Sequence, residues 1–152
     1  MEKYGNKPII NSYCAAERLY AGEYPGDKSA EKTQEKLAAF CSFGITHFID
    51  LTEEGELEPY AHLLPEGVVH RRFPIVDVSV PENHADVAEL LMYIDQVLSS
   101  EASKVYVHCW GGVGRTGTII GCYYVHKGCD FVSALVKLRE SFKQCPKSER
   151  RK

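Results

Sequence analysis

Hydrophobic positions along the chain follow two periods. In "SAEKTQEKLAAFCSFG" (29–44), Leu37, Phe40 and Cys41 share one helical face and Gly44 follows, which predicts a helix with a glycine stop. "ITHFIDL" (45–51) is mostly apolar, as a strand buried on both faces is. "EGELEPYAHLL" predicts a short helix or turn whose regularity Pro59 limits. "GVVHRRFPI" (67–75) predicts the next strand and "VDVSVPEN" (76–83) a loop. Val87, Leu90, Leu91, Ile94, Val97 and Leu98 then recur at helical spacing, and "KVYVHC" (104–109) returns to a strand. "RTGTIIGCYYVHKG" (115–128) is apolar on most sides, so this helix is expected deep in the core. Asp130 is placed to cap a last helix carrying Phe131, Leu135, Leu138 and Phe142 on one stripe. Near the N-terminus "RLYAGEYPG" adds a short strand and a turn.

Strands that alternate with helices predict an α/β fold. The expectation is a single domain over 1–152, with a largely parallel central sheet of about four or five strands flanked by helices. Ligands in such sheets bind beyond the carboxyl ends of the strands. His108 and Cys109 end one of them.

Composition narrows the class of protein. The chain has 152 residues, 44% hydrophobic and 26% charged, with a net charge of −3. That length can bury a core without staples, and the charge gives no general attraction to nucleic acid or anionic membrane. Six cysteines (Cys14, Cys41, Cys109, Cys122, Cys129 and Cys145) form no Cys-x-x-Cys pair, and "MEKYGNKPIINSY" has no apolar secretory core. A reducing, cytoplasmic setting is expected. No apolar stretch reaches the roughly 18 residues that span a bilayer.

The candidate chemistry lies in "HCWGGVGRTG" (108–117). Between Cys109 and Arg115 stand Trp110, Gly111, Gly112, Val113 and Gly114. So short a loop closes only through backbone angles that side chains resist and glycine permits. Curled, its amides form an anion-binding nest, the following helix contributes its positive end, and Arg115 offers a fork matched to phosphate. The same field favours thiolate over thiol at Cys109. Thr116 is placed to donate its hydroxyl to that sulfur and ease its departure from phosphorus. The plain alternative is a buried cysteine before an ordinary glycine turn; the arginine and Thr-Gly at matching spacing argue against it. A Walker-type loop needs Gly-Lys-Ser/Thr, and this chain has Gly114-Arg115-Thr116.

This segment resembles the signature His-Cys-five residues-Arg-Ser/Thr-Gly of the cysteine-dependent protein tyrosine and dual-specificity phosphatases, and the length resembles their small dual-specificity type. The resemblance implies a phosphomonoester hydrolase with a phosphocysteine intermediate, acting on phosphotyrosine and also on phosphoserine or phosphothreonine in proteins. It implies Cys109 as nucleophile, Arg115 and the 110–114 loop as phosphate binders, and His108 as a supporting residue. It also implies a general acid on a loop about thirty residues before the cysteine, where Asp77 stands. Asp86 is the runner-up. No metal or cofactor is expected, and the implied partner is a phosphorylated protein, with no nucleic acid, no membrane span and a monomeric state. Residues 146–152 are expected to form a short or truncated final helix. The alternatives are a phosphoinositide or other non-protein phosphatase, which "WGGVG", without lysine, disfavours, and a phosphate-binding module without turnover. Among weaker signals, Trp110 reads equally as a cleft wall or as packing. Asp50 is expected to tie its strand end to neighbouring backbone. Glu53, Glu54 and Glu56 read as a solvated acidic turn, Arg71 and Arg72 as surface charge, and Cys41 and Cys122 as inert packing residues.

Overall fold

The structure, a computed structural model, describes residues 5–75 and 84–146. Five strands form one sheet: β1 (Ser12–Ala16), β2 (Leu19–Gly22), β3 (His47–Asp50), β4 (Val69–Arg72) and β5 (Val105–His108), in the order β1-β2-β5-β3-β4. β1 runs antiparallel to β2, and every other pairing is parallel. The fold class is therefore as expected, with one strand more than the pattern marked. β1 forms a hairpin with β2 around Glu17 and Arg18, and Arg18 takes the left-handed φ of 61° that so tight a reversal requires.

Side-chain alternation divides the sheet into two faces. Leu19, Ala21, Ile49, Val105 and Val107 point to one face, where helices α2 (His84–Leu98), α3 (Gly114–His126) and α4 (Phe131–Phe142) contribute Leu90, Ile94, Ile119, Ile120 and Ala134. Tyr20, Phe48 and Tyr106 point to the other, covered by Leu37, Phe40 and Phe43 of helix α1 (Ala30–Phe43). α1 is bounded as its sequence predicts: Ser29 accepts from the Lys32 amide, and Gly44 ends the helix at φ 106°. Asp130 caps α4 through the Ser133 amide.

α4 departs from the expectation. Only Ala134 is fully buried on it, while Phe131 is 70% and Leu135 45% exposed. Leu138 and Phe142 pack on the core, so the stripe is engaged only in its C-terminal half. Its other half lines a trough of about 720 Å³ with Leu91, Cys122 and Val125. α3 is likewise buried on one side only, Val125 being 47% exposed. The rest of the expected final helix, 147–152, lies outside the described residues. Among the described residues no helix is long and apolar enough to cross a membrane.

Candidate active site

The same alternation sets the chemistry. The last rung of the parallel sheet is Gly22, His108, Asp50 and Arg72, in register on β2, β5, β3 and β4. Cys109 follows β5, so its side chain belongs to the α3 face while the His108 imidazole belongs to the α1 face. Sulfur and imidazole are neighbours in sequence and are separated by the sheet.

On the α3 face, Cys109 is 3% exposed and accepts a hydrogen bond from the Thr116 hydroxyl at 3.0 Å. α3 begins at Gly114, and its N-cap residue Val113 makes no side-chain capping bond. α3 thus starts directly from the loop that follows Cys109, and a helix N-terminus is an arrangement that binds oxyanions. Of the three loop glycines only Gly112 needs left-handed backbone, with φ 78°. A Cβ there would also lie 2.3 Å from the Gly22 carbonyl carbon and 2.6 Å from the Glu23 nitrogen. The Tyr24 amide donates to the Trp110 carbonyl at 2.9 Å. The loop is thus pressed against the end of β2. Gly114 has open space around its missing Cβ. Trp110 is 60% exposed, so its ring is not a packing element and stands at the rim.

Arg115 is 3% exposed, and its fork is already engaged. Nη1 donates to Glu56 Oε1 at 2.9 Å and to the Ile75 carbonyl at 3.0 Å, and Nη2 donates to Glu56 Oε2 at 2.7 Å. The hydrogen bonds from Arg115 hold the Glu56 carboxyl below its ordinary range. This overturns the solvated-turn reading of Glu56: the acidic turn delivers one carboxylate to the arginine. A bidentate pair fixes the plane of the guanidinium as well as its place.

On the α1 face, His108 Nδ1 lies 3.0 Å from the Cys109 carbonyl and Nε2 lies 2.6 Å from the Tyr60 hydroxyl. A carbonyl only accepts, so Nδ1 carries the proton and Tyr60 donates to Nε2. Burial pushes the imidazole pKa down to about 4, which keeps the ring neutral and this tautomer in place. Asp50 accepts from the Thr52 amide at 2.9 Å, from the Thr52 hydroxyl at 2.5 Å and from His70 Nε2 at 2.9 Å. Burial alone would raise its pKa; the bonds from His70 and Thr52 outweigh burial and hold the carboxyl well below the carboxylate range. Asp50 does tie its strand end to backbone as expected, and it does more. Arg72, read as surface charge, donates to the Thr52 carbonyl at 2.9 Å and stands 3.7 Å from Asp50. Arg71 instead lies over the Phe73 and Tyr93 rings and pairs with Glu89.

Cys109, the 110–114 loop, Arg115 and Thr116 thus lie on the α3 side, while His108 reaches Cys109 through its carbonyl from the α1 side. Asp77 lies outside the described residues. Asp86 is an exposed residue in the first turn of α2. Cys41 and Cys122 are half-buried on helices, and burial raises both thiols. Among the described residues no three His, Cys, Asp or Glu side chains gather as a metal ion would need.

Residues 27–150 match the family described as PTP-SAK, a Swiss Army Knife protein, DSP-PTPase phosphatase domain. The chain belongs to that family. It is 30% identical over 115 residues to 197R of Invertebrate iridescent virus 6, a protein named as a tyrosine phosphatase, covering 74% of this chain and 40% of that protein. It is 33% identical over 116 residues to the similarly named 067L of Invertebrate iridescent virus 3, covering 74% of this chain and 44% of that one. The DSP-PTPase chain thus spans less than half the length of these viral relatives. Among solved structures, Tk-PTP in its active form superposes with a TM-score of 0.76 at 21% identity, over 93% of this chain and 92% of that one. That likeness shows the fold.

Proposed function

We propose that this DSP-PTPase domain hydrolyses phosphomonoesters through a phosphocysteine, on phosphotyrosine and also on phosphoserine and phosphothreonine in proteins. The observation that carries the reading is the buried Cys109 sulfur, bonded by Thr116 at the start of α3. In the first step the Cys109 thiolate forms a bond to phosphorus, the P–O bond to the leaving group breaks, and Asp77 gives that oxygen its proton. In the second, Asp77 takes a proton from water, the water oxygen bonds to phosphorus, and the S–P bond breaks with its electron pair returning to sulfur. The Thr116 hydroxyl supports the sulfur as it leaves. Arg115, the loop amides and the α3 N-terminus stabilise the equatorial oxygens. Trp110, exposed at the rim, supplies an apolar wall beside the bound ester. The 110–114 side chains carry no positive charge, which favours a single phosphate over a polyanionic headgroup.

The test is hydrolysis of an aryl phosphate in the presence of a chelator. Wild type is expected to turn over, with Cys109→Ser losing about 10⁴-fold in kcat and Asp77→Asn about 10²-fold. Undiminished turnover by Cys109→Ser would defeat the mechanism.

A further inference from the structure

The reaction just proposed uses Arg115 but not what holds it. Glu56 aligns the fork, yet Glu56 belongs to a turn, and its own carboxylate is 19% exposed. Something must hold the turn. Within it the Glu56 amide donates to the Glu53 carbonyl at 3.0 Å, and the Glu53 amide donates back to Glu56 Oε1 at 3.0 Å. The turn is therefore a closed unit hung from Thr52. Thr52 is 2% exposed, and both its amide and its hydroxyl donate to Asp50 Oδ1. Arg72 closes the other side, donating to the Thr52 carbonyl and hydroxyl at 2.9 and 3.0 Å.

We infer that Asp50 is a positioning residue for phosphate binding: its buried carboxylate fixes the direction in which the chain leaves β3, and so places Glu56 and the Arg115 fork. The route is short and rigid. It runs from Asp50 Oδ1 to Thr52, from Thr52 to the 53–56 turn, and from Glu56 to both terminal nitrogens of Arg115. The carboxylate's other oxygen anchors the route to β4 through His70 and to the charge of Arg72. A neutral amide cannot replace this anchor. Asparagine keeps one acceptor oxygen but presents an NH₂ group to donors on the other side.

A second route from Asp50 exists, and the test must separate the two. His108 Nε2 lies 3.9 Å from Asp50 Oδ2, and His108 holds the Cys109 carbonyl. Action through His108 would alter the nucleophile and appear in kcat. Action through Glu56 alters the binding of the phosphoryl oxygens and appears in the affinity for inorganic phosphate.

The experiment measures aryl phosphate kinetics, and inorganic phosphate binding by calorimetry and as a competitive inhibitor, in the full chain. Asp50→Asn is expected to weaken phosphate binding about tenfold and to lower kcat/KM by at least that factor, because the Arg115 fork holds the same oxygens in the bound and the transition state. Glu56→Gln should show the same signature. The double variant should be little worse than either single one, because the two act in series. Thr52→Val, which keeps the carboxylate and removes one donor, should show the signature at about two- to threefold, and it carries the test if Asp50→Asn does not fold. Three results overturn the inference: phosphate affinity unchanged in Asp50→Asn or, if that does not fold, in Thr52→Val; a fall in kcat alone; or full additivity with Glu56→Gln. The inference rests on the phosphatase reading for its kinetics only. If wild type fails to hydrolyse the ester, that reading fails, and calorimetry with phosphate still decides the role of Asp50.

Discussion

The two ends of α3 obey opposite rules. At its start, polar groups are buried: Arg115 and Thr116 are 3% and 0% exposed, Arg115 meeting Glu56 from a distant segment and Thr116 meeting Cys109 across the loop. Toward its end and across to α4, apolar groups are exposed, with Val125, Phe131 and Leu135 lining an open trough. Burying charge is costly unless each group is paired and oriented. Leaving apolar side chains in water forgoes stabilisation but demands no geometry. The first end should therefore be intolerant of small changes and the second tolerant of large ones.

The sharpest break of that contrast is one methyl group on the loop. Gly112→Ala forces a side chain onto φ 78° and into the Gly22 carbonyl. Since both the backbone angle and the packing resist it, an unfolding cost of about 3 kcal/mol is expected. Activity should fall further than stability does, because the loop can relieve the clash only by moving away from β2. Denaturant midpoints and aryl phosphate kcat/KM measured on one preparation check both. A stability within about 0.5 kcal/mol of wild type would mean that the loop is not pressed against β2.

Acid should act on the same end. The folded-state pKa of His108 is about 4 against an ordinary 6.5, so above pH 6.5 neither state binds its proton. As pH falls toward 4, the unfolded chain takes up a proton that the folded one refuses, and stability drops. The loss approaches about 3 kcal/mol near pH 4. His47, whose pKa burial also lowers, adds to the loss with the same sign. The depressed carboxylates Asp50 and Glu56 extend it to lower pH. Urea unfolding from pH 7 to 4.5 should show this slope. His108→Asn should lower stability throughout and reduce the slope by up to one proton. An unchanged slope in that variant would place the titration elsewhere.

The same contrast explains what the sequence could tell. The Cys109–Thr116 contact was legible because it closes within eight consecutive residues, and the chemistry demands that spacing. Glu56 was not, because it meets Arg115 from 59 positions away, and an exposed acidic turn looks the same whether or not one carboxylate folds inward. Arg72 became a network member through a register shared with Asp50 and His108, which no single strand displays. β1 was missed because five residues, "SYCAA", carry little β-branched signal. On α4 the pattern misled in the other direction. A stripe at helical spacing reports which residues share a face, not whether a neighbour reaches that face along its whole length.

The smallest expected effect tests that last point. Leu135→Gln keeps the helix propensity and the size of the side chain, and exchanges an apolar group for a polar one at a position 45% exposed. If water already reaches this half of α4, the change in unfolding free energy should stay within about 0.5 kcal/mol. Ile120→Ala, one helix away and 0% exposed, should cost about 2–5 kcal/mol. Urea melts of the two variants against wild type give both numbers on one scale. The ratio matters more than either value, since errors in the linear extrapolation are shared. A cost for Leu135→Gln approaching that of Ile120→Ala would mean that the trough is closed in solution, and that the two ends of α3 differ less than their exposures indicate.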